Sequence, residues 1–321
     1  MSTRVIIDTD PGQDDALAVL LALSADAELE VAGITTVAGN VGIAQTTMNA
    51  LRICQLAGRS DLGVYSGCAQ PILRPLHTAE FICGTDGLAG MELAPPRQAA
   101  RAEHAVTFLI ETLRASPTTM TLCALGPLTN IALALLQAPD IKAKIDRIVI
   151  MGGARDLGNI TAAAEFNFFV DPHAAAVVFQ AGLPITLFPL SATYQAVATP
   201  ARLKDFDAQG VVGGPIVSML KRERPGGASL GGNDGHPMHD PCVIAWLLWP
   251  ELFQGRDCNV AIETAEGPTV GRSTIDWWGR SGEPANAHVI ETVDADAMFA
   301  RIAQSVRSLD ATPSRPMEAL S

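Results

Sequence analysis

The chain has 321 residues, 48% of them hydrophobic and 17% charged, with a formal net charge of −12. That mixture can bury a substantial core and shows no low-complexity bias, while the acidic balance, with no lysine or arginine stripe, argues against nucleic acid as a partner. The longest apolar runs fall well short of the roughly 20 residues that span a bilayer, no signal-peptide stretch precedes Val5, and the six cysteines form no CxxC pair, so the expected setting is the cytoplasm, with no membrane and no disulfide or zinc framework.

Short runs rich in Val and Ile alternate with longer segments of helical period, the pattern of βα units around a parallel sheet. In chain order, strands are expected at Val5–Ile7, Val31–Val37, Met120–Leu125, Arg147–Met151 and Ile185–Phe188. The accompanying helices are expected at Ala16–Ser24, Ala44–Ala57, Leu128–Gln137, Pro172–Ala181 and Cys242–Leu248. The character then changes: strands at Asn259–Ile262, Val270–Asp276 and His288–Glu291, separated by turn signals, precede an amphipathic helix near Ala295–Ser308. The expected fold class is α/β, an open mainly parallel sheet flanked by helices, with additional strands near the C-terminus. No linker divides residues 1–321, which reads as one domain. The glycine-rich stretch from Arg222 to Pro237 is long for a connection and is the candidate lid.

The chemistry gathers where strands end. Asp8-Thr9-Asp10-Pro11-Gly12-Gln13-Asp14-Asp15 puts four aspartates in eight positions, with a turn at Pro11-Gly12. Ligands of open α/β sheets bind beyond the carboxyl ends of the strands. Carboxylates crowded there are compensated economically by a hard divalent cation. The plainer alternative is a solvated acidic turn with Asp14 capping the next helix. Further polar groups follow other expected strands, at Asn40, Leu125-Gly126 and Gly152-Gly153. Asp240, opening an apolar helix after His239, suits a helix cap or a metal ligand, and taken alone the cap is the better reading.

Six separated motifs cover most of the chain: Asp8-Thr9-Asp10-Pro11-Gly12-x-Asp14-Asp15, Gly126-Pro127-Leu128-Thr129-Asn130, Met151-Gly152-Gly153, Gly158-Asn159, Ala164-Glu165-Phe166-Asn167 and His239-Asp240. In this order they resemble the inosine-uridine nucleoside hydrolases. Thr36-Val37-Ala38-Gly39-Asn40-Val41 and the run from Met238 to Trp246 resemble in particular the bacterial non-specific ribonucleoside hydrolases. The resemblance implies a homodimer or homotetramer that binds Ca2+ and cleaves small-molecule ribonucleosides. It implies that Asp10, Asp15 and Asp240, with the main-chain carbonyl of Leu125, ligate the calcium. Asp14 and Asn167 would hold the 2′- and 3′-hydroxyls and Asn159 and Glu165 the 5′-hydroxyl. Asn40 would sit beside the reacting centre, Met151 would contact substrate and His239 would face the leaving base.

In such a reaction the ribosyl ring gains positive charge in an oxocarbenium-like transition state. Asp10 is the expected general base toward water, and His239 the expected acid toward the base. Asp8 is expected to orient the ligand loop without touching the metal. Cys83 stands where many family members carry histidine, so it is expected to line the pocket and bears on base preference more than on hydrolysis. The four tryptophans are expected in core or interface, leaving Tyr194, Arg224 and Asn233 as candidates to shape the base pocket. One rival reading is a magnesium phosphohydrolase built on Asp8 and Asp10, but such an enzyme needs cationic groups or helix-terminal amides around the phosphate, which the acidic cluster would repel. The other is a non-catalytic calcium or nucleoside binder on the same scaffold.

Overall fold

The Val- and Ile-rich runs form strands that are buried on both sides of one sheet. A computed structural model describes residues 2–88, 91, 93–221 and 235–310. In it, β1 (Thr3–Thr9), β2 (Leu29–Thr36), β3 (Val64–Ser66), β4 (Met120–Ala124), β5 (Ile145–Met151) and β6 (Ile185–Phe188) lie in the order β3-β2-β1-β4-β5-β6. Ala287–Val293 and then Phe253–Cys258 extend the sheet to eight strands. Every neighbouring pair is parallel except that last one, which is antiparallel.

Because side chains alternate across a strand, each central strand feeds two cores. Val5, Ile7, Val149 and Met151 pack on one face, and Ile6, Ile148 and Ile150 on the other. The first face is covered by α1 (Gln13–Ser24), α2 (Ile43–Leu56) and the helices Gly213–Lys221, Pro241–Leu248 and Ala295–Asp310. The second is covered by Ala105–Ala115, Thr129–Gln137 and Pro172–Phe179. From Ala16 to Leu23, α1 is buried all round, as a helix without a polar face must be. It packs against both Pro241–Leu248 and Ala295–Asp310.

The strand order reverses between β1 and β4, the switch point at which the loops leaving an open parallel sheet diverge and open a crevice. Asp10 leaves β1 there, and Leu125 follows β4.

The expected strands and helices are present, with ends shifted by a few residues. Further elements were not expected from sequence, among them β3, Ala105–Ala115, Gly213–Lys221 and Phe253–Cys258, together with several short helices and bridges such as Glu80–Cys83, Phe166–Val170 and Leu190–Thr193. Phe253–Cys258 is an edge strand buried at its first and last residues, so it carries neither the apolar run of an inner parallel strand nor a regular alternation. Of the C-terminal strands, Val260–Ile262 and Ser273–Ile275 form a separate antiparallel pair, while Ala287–Val293 joins the main sheet. Residues 222–234 of the candidate lid, with Arg224 and Asn233, lie outside the described residues. His236–Pro237, at its end, pairs with Val197–Ala198. No helix among the described residues is long and apolar enough to cross a membrane.

Candidate active site

A pocket opens at the switch point. Its lining includes Asp10, Asp14, Asn40, Cys83, Leu125, Met151, Asn159, Glu165, Asn167, His239 and Asp240. All the residues expected to ligate metal, bind substrate or act in catalysis are therefore in its wall except Asp15, which is buried; Tyr194, a candidate for the base pocket, lies outside this lining and meets the His239 ring edge-on. Gly12, Gln13, Ala79, Ile82, Ile160 and Phe166 complete the lining; sequence offered no signal for the apolar ones, which resemble ordinary core residues until the loops come together. No tryptophan contributes. Trp246 instead packs edge-on to Phe188, and Trp277 lies under the guanidinium groups of Arg155 and Arg256.

Asp10 is held by its surroundings. Its Oδ2 accepts the main-chain N–H of Asn40 at 2.7 Å, while the Asn40 amide donates to the Asp10 carbonyl at 3.1 Å and to Asp15 Oδ2 at 3.3 Å. The backbone passes on both sides: a Cβ on Gly39 would lie 2.1 Å from Asp10 Oδ2, and one on Gly126 would lie 2.5 Å from Oδ1. Only glycine permits those approaches.

Asp15 performs the local task that the plainer reading assigned to Asp14. The N-cap of α1 is Gly12, whose N–H donates to Asp15 Oδ2 at 2.9 Å, and the hydroxyl of Thr9 donates to Oδ1. Asp14 instead accepts the main-chain N–H of His239 at 3.3 Å. Asp240 occupies the N-cap position of Pro241–Leu248, yet its side chain caps nothing, so the cap reading does not hold for it. The packing of these two helices brings one oxygen each from Asp14, Asp15 and Asp240 within 4.8 Å of one another. Asp10 lies outside that trio but interacts electrostatically with it.

The cluster is unfavourable as it stands. Burial holds Asp10 well above the usual carboxylate range, reinforced by the charge of Asp15. Burial likewise raises Asp240, with Asp14, Asp15 and Asp10 adding to the effect. Asp15 is pushed up to about 6, first by burial and then by Asp14. Among the described residues, no lysine or arginine is in the pocket wall. Two helix N-termini face the cluster, but their partial charges are small against several carboxylates. A hard divalent cation fits: carboxylates and a main-chain carbonyl are its preferred donors, and its charge would offset this repulsion.

The other side of the pocket is built on hydrogen bonds. Glu165 accepts the N–H groups of Gly153 and Asn167, both at 2.8 Å, and of Phe168 at 3.2 Å. Burial nevertheless pushes its carboxyl up to about 7. Asn159 Oδ1 accepts the N–H of Phe166 at 2.9 Å, and the Asn167 amide donates to the carbonyls of Leu125 and Met151. The Cys83 thiol donates to the Ala79 carbonyl at 3.2 Å and, pushed up to about 12 by burial and next by Asp10, stays neutral. Nδ1 of His239 lies 2.7 Å from the hydroxyl oxygen of Thr193, a partner that sequence spacing does not reveal. Asp8 lies behind the pocket, bonded to Thr35 and Asn130.

Residues 5–300 match the family model described as inosine-uridine preferring nucleoside hydrolase. The chain is 43% identical, over 92% of its length and 93% of the relative's, to the pyrimidine-specific ribonucleoside hydrolase RihA of a Shewanella species. It is 42% identical, over 94% of its length and 97% of the relative's, to the non-specific ribonucleoside hydrolase RihC of Salmonella schwarzengrund. Among solved structures, the purine-preferring ribonucleoside hydrolase from Gardnerella vaginalis superimposes with a TM-score of 0.88 at 31% identity, covering 96% of this chain and 99% of that one. This chain belongs to the inosine-uridine preferring nucleoside hydrolase family, enzymes that hydrolyse the N-glycosidic bond of ribonucleosides.

Proposed function

We propose that this enzyme is a calcium-dependent ribonucleoside hydrolase that releases ribose and free base from purine ribonucleosides, pyrimidine ribonucleosides or both. The observation that carries the proposal is the convergence of Asp10, Asp14 and Asp240, with Asp15 behind them, at a pocket whose described lining holds no lysine or arginine, opposite the hydroxyl-reading side chains Asn159, Glu165 and Asn167. The similar proteins named above are pyrimidine-specific, non-specific and purine-preferring, so the base scope stays broad.

Asp10, Asp15, Asp240 and the carbonyl of Leu125 would hold the ion. When bound, calcium supplies positive charge that orients ribose hydroxyls and acidifies water. Asp10, fixed by Asn40, takes the proton of the water attacking C1′. Carboxylates beneath the ring stabilise its developing positive charge. As the C1′–N bond breaks, its electron pair goes to the base and His239 delivers a proton to it. Asp14 and Asn167 recognise the 2′- and 3′-hydroxyls, and a site built to pair with a hydroxyl rejects an analogue lacking it. The uncharged Cys83 thiol offers only a weak hydrogen-bonding group beside the base.

Ribose release from uridine, cytidine, inosine, adenosine, guanosine and xanthosine, measured with added calcium and after EDTA treatment, tests the proposal. Turnover that requires calcium is expected. Nucleoside binding without ribose release in calcium-replete protein would overturn it, and full activity after metal removal would overturn the calcium dependence.

A further inference from the structure

Thr193 ends the short helix Leu190–Thr193 that follows β6, and it is completely buried. Its hydroxyl makes one hydrogen bond among the described residues, the 2.7 Å contact with Nδ1 of His239. The rest of His239 is also secured: its main-chain N–H donates to Asp14, and the Tyr194 ring meets the imidazole edge-on with centroids 5.3 Å apart. A buried hydroxyl whose hydrogen finds no acceptor carries its full desolvation penalty. With neutral His239, Nδ1 is that acceptor, which leaves the ring hydrogen on Nε2. With the imidazolium, the same hydroxyl rotates and accepts from Nδ1–H, a charge-assisted bond that offsets the loss of its own acceptor. Nε2 thus bears a hydrogen in the neutral resting ring and in the imidazolium, until that hydrogen is transferred.

We propose that Thr193 is a positioning residue for proton delivery, holding the Nδ1 edge of His239 so that Nε2–H is presented to the departing base. This rests on the reading of His239 as the proton donor. In the transfer, the imidazolium gives its Nε2 proton to the base nitrogen, and that nitrogen keeps the electron pair of the broken C1′–N bond. Neutral imidazole remains, with its hydrogen on Nδ1 bonded to the Thr193 oxygen. A side chain without the hydroxyl would leave Nδ1 facing an alkyl group.

The experiment uses the calcium-loaded enzyme and its Thr193→Val, Thr193→Ser and His239→Ala variants. The rate on uridine and inosine is compared with that on 4-nitrophenyl riboside, whose leaving group departs as a stable anion without an acid. Thr193→Val should lower the nucleoside-to-nitrophenyl rate ratio at least about tenfold, part of what a general acid contributes, through kcat more than KM. Thr193→Ser should restore the ratio, which a merely structural role would not require. Imidazole 15N spectra above the ring's titration should show the Nε2–H tautomer in the parent enzyme and altered resonances in Thr193→Val. A ratio that collapses in His239→Ala but not in Thr193→Val overturns the positioning role alone. A ratio unchanged in His239→Ala overturns the donor reading, and the positioning role with it. An Nδ1–H tautomer in the neutral parent enzyme also overturns the proposal.

Discussion

The side-chain amide of Asn167 donates to the main-chain carbonyl of Leu125 at 2.8 Å and to that of Met151 at 3.2 Å, joining the ends of β4 and β5 under the pocket. With the amide nitrogen so engaged, the oxygen is the atom left to accept a ribose hydroxyl. Asn167→Ala should therefore weaken both the scaffold and substrate recognition. Loss of the buried donor should cost about 1–3 kcal/mol, measurable by denaturant unfolding. The preference for uridine over 2′-deoxyuridine, as a ratio of kcat/KM, should fall at least about tenfold. An unchanged preference would remove Asn167 from hydroxyl recognition.

Gly39 tests the positioning of Asp10 without touching its chemistry. A Cβ there lies 2.1 Å from Asp10 Oδ2, so Gly39→Ala must displace the carboxylate or the loop. A misplacement of about 1 Å in a catalytic group can lower the rate about 100-fold. Steady-state kinetics should show a kcat loss on that scale, with thermal melts confirming a folded protein. Wild-type kcat would show that the carboxylate has room to move.

Asp10→Asn keeps an oxygen able to accept the Asn40 N–H, so the fold should persist. It loses the basic carboxylate, and turnover should fall about 10²–10⁴-fold, the range of general acid–base contributions. Near-normal kcat in calcium-saturated variant protein would exclude Asp10 as the base.

Stability should respond to pH in opposite ways with and without the ion. Burial pushes Asp15 up to about 6 and Glu165 up to about 7 in the folded chain; unfolded, both titrate near the ordinary value of about 4. Between those values the folded state holds protons that the unfolded chain has released. EDTA-treated protein should therefore lose stability as pH rises from about 4 toward 7 and remain destabilised above it. Its melting temperature should be higher at pH 5 than at pH 8. Calcium at a hundredfold excess over its dissociation constant should add about 2.7 kcal/mol, with the gain largest at pH 8. A calcium-insensitive melt at pH 8 would count against Asp10, Asp15 and Asp240 as its ligands.

Much of the scaffold was legible in the sequence because parallel strands buried on both faces must be predominantly apolar, as in the fully buried Met120–Ala124 and Ile185–Phe188. Phe253–Cys258 was not, because an edge strand has little apolar surface to bury. The acidic segment from Asp8 to Asp15, the asparagines and His239-Asp240 were visible because carboxylates and amides at strand ends, in that order, suit few other purposes.

Sequence by itself thus determined the family, the strand–helix alternation and the inventory of polar groups, since composition, periodicity and motif spacing are properties of the chain alone. Tertiary structure decided what each group does with its neighbours. It made Asp15 rather than Asp14 the residue that closes the start of α1, left Asp240 uncapping and turned toward Asp14 and Asp15, and set Thr193 against His239. Residues separated by 46 positions, as Thr193 and His239 are, or by 225, as Asp14 and His239 are, meet only when the helices pack on the sheet. Hydrogen bonding and desolvation depend on that distance in space, not on distance along the chain.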